Sequence, residues 1–350
     1  MARIRKVTCP VLILISVLVA TNQYACGQEV ESSSYSNYFR PMNQNMVIKV
    51  DLNNQIDGFK VSANDDLSYK IKPNARWATR ISLNYHFLSL SYSYISPLFN
   101  SNKDDDLKGK TKYFNLSPRF QFNKIIQEIG YSRTKGYYLD NPKPFDPSWT
   151  EGDPYPQFPE LVTHHYYGRT SYKWNPNFST KAFLDQTEKQ LRTTGSFIGT
   201  FSYELYQNDD RTKLTETNSS QKASNIELMA GGGYYQTFVL HRDFSLTCGA
   251  GAAGGVIHQK LYTRYIDVKY KTIQNLPILR GEVLGALGYN SPKFFAGTRV
   301  QFTGETYNQS KNSGGVINQN HFYVSFYLGF RLKAPKPVRK LNDEIEHILN

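Results

Sequence analysis

The chain has 350 residues, a hydrophobic fraction of 39% and a formal net charge of +12, with 26 Tyr and 21 Phe. That apolar content is thin for a water-soluble core of this length, and an excess of aromatics with plentiful Gly and Ser favours strands over helices. The basic balance does not point to nucleic acid, because the chain opens on an export signal; anionic lipid or lipopolysaccharide headgroups are the expected neighbours.

That signal comes first. Arg3, Arg5 and Lys6 form a charged start, VLILISVLVA over 11–20 is an apolar run too short to span a bilayer, and Ala25-Cys26-Gly27 supplies small residues at a cleavage site. A signal peptide is expected over 1–27, cut before Gln28. A lipoprotein with Cys26 lipidated competes, but Gln23 and Tyr24 stand where such sites carry an aliphatic and a small residue. Cleavage removes Cys9 and Cys26 and leaves Cys248 alone, so neither an internal disulfide nor a cysteine framework for zinc is expected, and the net charge falls to +9. No cofactor is expected. Beyond residue 28 no apolar run approaches the ~20 residues of a membrane helix. A membrane form must therefore be a closed barrel.

The remaining chain divides into a periplasmic N-terminal segment (28–45), a barrel (46–333) and a periplasmic tail (334–350). In WATRISLNY, Trp77, Thr79, Ile81, Leu83 and Tyr85 alternate with Arg80, Ser82 and Asn84. LSLSYSY then sets Leu88, Leu90, Tyr92 and Tyr94 against serines. The same alternation recurs at Phe114 to Phe122, at Phe244 to Val256 and at Phe294 to Phe302, and closes with FYVSFYLGFRL over 322–332. Repeated period-two patterning of this kind marks an outer-membrane barrel.

Joints of two lengths alternate. Short ones fall at His86-Phe87, Asn123-Lys124, Asn175-Pro176-Asn177, His241-Arg242-Asp243 and Asn290-Ser291-Pro292. Long polar ones fall near 97–110, 137–159, 207–222, 259–272 and 308–318. The predicted strands are 46–63, 77–85, 88–96, 111–122, 124–136, 160–174, 178–206, 223–239, 242–258, 273–289, 292–307 and 319–333. The fold class is all-β, a transmembrane antiparallel up-and-down barrel of about twelve strands, ten to fourteen being compatible. Its short turns lie on the periplasmic side and its long loops outside. Two stretches fit poorly: 178–206 is far longer than the ~10 residues that cross a bilayer, and Asn53-Asn54 interrupts the first strand. The 178–206 stretch is read as one projecting strand with a bulge near Thr193-Thr194-Gly195.

The segments KPNARWATRISLNYHFLSLSYSY, FSTKAFLDQTEKQLRTTGSF and HFYVSFYLGFRLKAP together resemble an uncharacterised family of Bacteroidetes outer-membrane proteins, described only as a domain of unknown function. The resemblance runs from about Met46 to Lys333. It implies an outer-membrane barrel and brings no catalytic residues.

Five features bear on function. GAGAAG at 249–254 matches a dinucleotide fingerprint, but GVIHQKLYTRY after it offers no helical face; small residues in a closely packed barrel strand explain it. Arg80, Arg119, Arg169, Arg280, Arg299 and Arg331 share the inward register with Glu282 and Glu305. They form either an arginine-lined constriction for anions or ion pairs that fill the lumen. A hydrolase would need a base beside a hydroxyl nucleophile, and the one His-x-Ser/Thr arrangement found is Thr163 two residues before His165. Finally, the loop at 137–159 reads as a surface loop, an external binding site or a plug, and Val338, Leu341, Ile345, Ile348 and Leu349 make an apolar helical stripe in the tail, suited to docking on the barrel end or a periplasmic partner.

These readings give an integral outer-membrane barrel, a channel or a surface-exposed structural or binding protein. A lipid hydrolase and a soluble periplasmic lipid-binding β-protein are the alternatives.

Overall fold

The computed structural model describes residues 37–56, 58–62, 68–99, 102, 104–308 and 316–340. The expected leader and residues 28–36 lie outside them, as do Leu341, Ile345, Ile348 and Leu349 of the expected tail helix; residues 336–340 are helical.

In chain order the elements are β1 (Phe39–Pro41), β2 (Asn45–Asn53), β3 (Phe59–Ser62), β4 (Ser68–Lys72), β5 (Ala78–Tyr85), β6 (Leu88–Ile95), α1 (Asp105–Lys108), β7 (Lys112–Gln121), β8 (Ile125–Leu139) and β9 (Gln157–Lys173). There follow α2 (Thr180–Leu184), β10 (Glu188–Gln190), β11 (Thr194–Asp210), β12 (Ser220–His241), β13 (Phe244–Arg264), β14 (Lys269–Asn290), β15 (Phe294–Asn308) and β16 (Val316–Lys333). Antiparallel pairing runs β8-β7-β6-β5-β2-β16-β15-β14-β13-β12-β11-β9, and β9 pairs back onto β8. The result is a closed antiparallel barrel of 12 strands with no free edge inside the ring. The β3–β4 hairpin adds to the ring from outside, through Ile71 and Lys72 on the far end of β8.

Apolar side chains point out of this barrel and polar ones point in. On β16, Phe326 and Phe330 are each 52% exposed, while Ser325 and Tyr327 are 1% and 6% exposed. The soluble alternative, which needs the apolar face inward, is overturned by this polarity. GAGAAG lies wholly within β13, and the strand continues through it without a helix.

Three strand expectations are corrected. The 178–206 stretch is not one strand: α2 and β10 occupy its first half, and β11 begins only at Thr194. The joint at Asn175-Pro176-Asn177 is therefore the start of a connection covering 174–193. The first strand does not run to 63; β2 ends at Asn53, whose side chain turns back to accept the Gln55 N–H at 3.2 Å, as Asn does in turns. The polar segment 259–272 is mostly strand, closed by a tight turn in which the Tyr265 N–H donates to the Val268 carbonyl at 2.8 Å. Its outward side chains change from Val256 to Lys260 and Tyr262, so the apolar alternation stops while the strand goes on.

Candidate functional site

The departure from a plain barrel is the 174–193 connection at the short-turn end. Asn175 Oδ1 accepts the Asn177 N–H at 3.0 Å and ends β9 in a tight turn. Ser179 caps α2, its Oγ accepting the Ala182 N–H at 3.0 Å. Gln186, at φ +61°, turns the chain into β10, which pairs with β1 in the register Phe39 to Gln190. The Leu191 N–H donates to the Tyr38 carbonyl at 2.7 Å, so the N-terminal arm is tied to the same unit. Phe178 at its root is fully buried.

Side chains from around the wall converge on this segment. Arg299 donates to the Phe183 carbonyl at 3.0 Å, and Lys49 to the Leu184 carbonyl at 2.9 Å. Asn84 donates to the Asp185 carbonyl at 2.8 Å. Arg331 donates to the Gln186 carbonyl at 2.6 and 3.1 Å and to Asn290 at 2.6 Å. The Asp185 carboxylate pairs with Arg119 at 2.8 Å and accepts from Gln121. Lys189 reaches Asp243 in the β12–β13 turn. Bonds of this charge-assisted kind contribute about 1.5–3 kcal/mol each when their alternative is an unpaired buried group. The segment is thus seated across the lumen by β2, β5, β7, β15 and β16 together.

Toward the long connections the lumen is lined differently. Arg280 on β14 meets Glu305 at 2.6 Å, Glu227 at 2.8 Å and Glu204 at 3.6 Å, so one guanidinium gathers carboxylates from β15, β12 and β11. His165 Nε2 lies 2.9 Å from Glu204. Glu282 accepts from the Tyr235 hydroxyl and from Gln301 at 3.2 Å. Arg119 also pairs with Glu128 across β7 and β8 at 2.9 Å. Arg80 donates to Ser93 at 3.2 Å and to Gln55. Arg169 has no ion-pair partner among the described residues and is exposed.

The eight charged residues singled out by register therefore part company. Arg299 and Arg331 seat the inserted segment, Arg280 and Glu305 pair directly, Arg119 serves both functions, Glu282 takes neutral donors, and Arg80 and Arg169 belong to neither group. Glu128, Glu204 and Glu227 were missed although they share the inward parity; Glu227 sits between Ile226 and Leu228, both outward. Asp185, Gln186 and Lys49 were missed because their role comes from the insertion. The lack of alternation over 178–193 and a serine three residues before Ala182 were the available signals. Thr163 and His165 do not form a nucleophile and base: Thr163 donates to Asn208 at 2.9 Å and accepts from the Tyr137 hydroxyl, while His165 turns to Glu204.

The solved structures that share this architecture include the outer membrane protease OmpT from Escherichia coli, at 8% identity over 83% of this chain and 96% of that chain, TM-score 0.36. The translocator domain of the autotransporter NalP from Neisseria meningitidis aligns at 9% identity, 92% and 99% coverage and TM-score 0.35. LpxR from Salmonella typhimurium aligns at 11% identity, 81% and 99% coverage and TM-score 0.34. No curated protein matches the sequence. A family model, that of a domain of unknown function (DUF4421), matches residues 34–332, and the chain belongs to that family.

Proposed function

We propose that this chain is an integral protein of the bacterial outer membrane that works as a gated conduit for small polar solutes, its lumen entered from the long-connection side and shut at the short-turn side by the 174–193 segment. The observation that carries this reading is the seating of that segment: Arg299, Arg331 and Lys49 bind its peptide carbonyls. Neutral carbonyls leave the wall cations charged. Withdrawal of the segment therefore breaks two ion pairs, Arg119 with Asp185 and Lys189 with Asp243, while its other charged contacts are to neutral carbonyls, and the arginines it uncovers would line an open path for anions.

The test is conductance of the purified full-length protein in a planar bilayer. The wild type is expected to stay closed with brief openings. Arg299→Gln with Arg331→Gln is expected to raise the open fraction, and a Gly-Ser turn in place of residues 178–190 to give a steady, anion-preferring current. A steady wild-type current equal to that of the shortened variant would overturn the gate. So would a silent shortened variant that still migrates as a compact barrel before boiling.

A further inference from the structure

On its outer surface the barrel carries a charge pattern that the gate does not use. The strand register aligns outward side chains in rows around β8, β9, β11 and β12. One row is Tyr131, Tyr166, Leu205 and Ile226. Its tyrosine rings stack at 4.6 Å, and Tyr166 is 54% exposed. Two residues further toward the long connections, roughly 7 Å along the strands, the row becomes Arg133, His164, Gln207 and Ser224, and continues to Lys260 on β13. The row beyond that places Lys222 against Tyr262, and Tyr262 against Lys271 on β14. Arg211, just past β11, brings its guanidinium to 3.5 Å from His164. An apolar, aromatic surface thus gives way within a single step of the pleat to a polar row with Arg133 at one end and Lys260 at the other.

The nearby carboxylates are engaged at its edge: Glu160 is taken by Lys135 at 2.9 Å, and Asp209, opposite Lys222 in the register, is shared by Arg211 at 3.3 Å and Arg264 at 2.9 Å, so Arg211 is already paired. Arg133, Lys222, Lys260 and Lys271 have no ion-pair partner among the described residues. One cation above an apolar band is ordinary for a side chain whose stem lies in lipid and whose head reaches water. Here Lys222, Lys260 and Lys271 stand on the neighbouring strands β12, β13 and β14, about 4.8 Å apart, with Arg133 on β8 at the other end of the row, over tyrosines of the kind that mark a membrane boundary.

We propose that this wall binds a phosphorylated lipid of the outer leaflet, its phosphates met by Arg133, Lys222 and Lys260 and its acyl chains lying along Tyr131, Tyr166, Leu205 and Ile226. Arginine takes phosphate oxygens in a bidentate fork and lysine adds point charge. The site rests on the membrane placement proposed above and is independent of whether the lumen is gated.

The test is native mass spectrometry of the full-length protein in a neutral detergent. The probes are lipid A with both phosphates, the same lipid with its phosphates removed, and inorganic phosphate. The wild type is expected to hold the phosphorylated lipid about tenfold more tightly than the stripped one, with inorganic phosphate failing to compete. The variant carrying Arg133→Gln, Lys222→Gln and Lys260→Gln is expected to lose that preference while keeping its heat-modifiable barrel band. Equal retention of both lipids, or an undiminished preference in the variant, would overturn the site. Displacement of the lipid by inorganic phosphate would overturn it as a lipid site. A chain recovered as a soluble species with no heat-modifiable band sinks the membrane placement as well, whereas a heat-modifiable barrel without phosphate preference sinks this proposal alone.

Discussion

At the short-turn end of the lumen, Arg299 and Arg331 give their N–H groups to peptide carbonyls of an inserted segment, whereas toward the long connections Arg280 gives its N–H groups to wall carboxylates. The same side chain does two kinds of work. Wall pairs such as Arg280 with Glu227 separate only if the barrel itself comes apart. The carbonyl contacts belong to a piece of chain that is covalently tied to the barrel at both ends but could still leave its seat. Two ion pairs join that piece to the rest of the barrel among the described residues, Arg119 with Asp185 and Lys189 with Asp243. Arg119 belongs to both regions, because Glu128 on the wall holds its other side.

The comparison breaks hardest at Arg119. Arg119→Gln takes from Asp185 and Glu128 the guanidinium that both contact directly, and stripping one partner from a buried pair costs about 3 kcal/mol. Urea unfolding in liposomes, followed by loss of the fast-migrating band, should show a correspondingly lower midpoint. Adding Asp185→Asn should return part of the loss. If the single and double variants unfold together, the segment is not latched through this pair.

A smaller loss is expected at Gly136. Its φ is +90°, and a Cβ there would lie 2.1 Å from the Lys110 carbonyl oxygen, at the point where the β8–β9 register shifts between Lys135 and Tyr137. Gly136→Ala should cost about 2 kcal/mol and loosen the rim on the long-connection side while leaving the segment seated, so the resting conductance should not change. Arg169→Gln should alter the stability by less than about 0.5 kcal/mol, because this arginine, although opposite Glu128 in the register, is exposed and makes no direct ion pair among the described residues. A loss as large as that of Arg119→Gln would mean that the two regions are not distinct.

Why the two regions differed in legibility follows from how each is built. The wall is periodic: a two-residue repeat fixes which side chains share a face, so Arg280, Glu305 and Arg331 could be assigned inward from FYVSFYLGFRL and its counterparts alone. Strand order followed from alternating joints, except where outward lysines and tyrosines replaced apolar residues and β13 and β14 continued past the apparent end of the pattern. The inserted segment has no period to read. Its position depends on carbonyls of Phe183, Leu184 and Gln186 meeting side chains more than a hundred residues away in sequence, such as Lys49, Arg299 and Arg331, and backbone acceptors leave no trace in residue identity.

The smallest effect lies in the 140–156 connection, whose ends are tied to β4 through Asp140 and Asn141 and to Leu107 through the Tyr155 N–H, and whose tip is closed by local contacts. Asp153 Oδ2 accepts the Thr150 N–H at 2.8 Å and the Thr150 hydroxyl at 2.7 Å, and Trp149 Nε1 donates to the Pro154 carbonyl at 3.2 Å. The backbone and hydroxyl donors of Thr150 favour the charged carboxylate and hold Asp153 below the ordinary aspartate range. A group whose folded pKa is depressed contributes its stabilisation above its unfolded pKa, ~3.9 for aspartate, and loses it as pH falls through the folded value. The turn should therefore keep its geometry at neutral pH and loosen only in acid, while the ion pairs of the lumen wall keep the barrel closed around it. Carbon-detected NMR of Asp153 in nanodiscs should place its titration midpoint below that of ordinary aspartate, with the Thr150 amide shift following the same curve, and Asp153→Asn should abolish the pH response of that amide. A midpoint at or above the ordinary value would show that the Thr150 donors do not hold the carboxylate, and that the tip of the connection is closed by other contacts than those that distinguish it from the wall-seated segment.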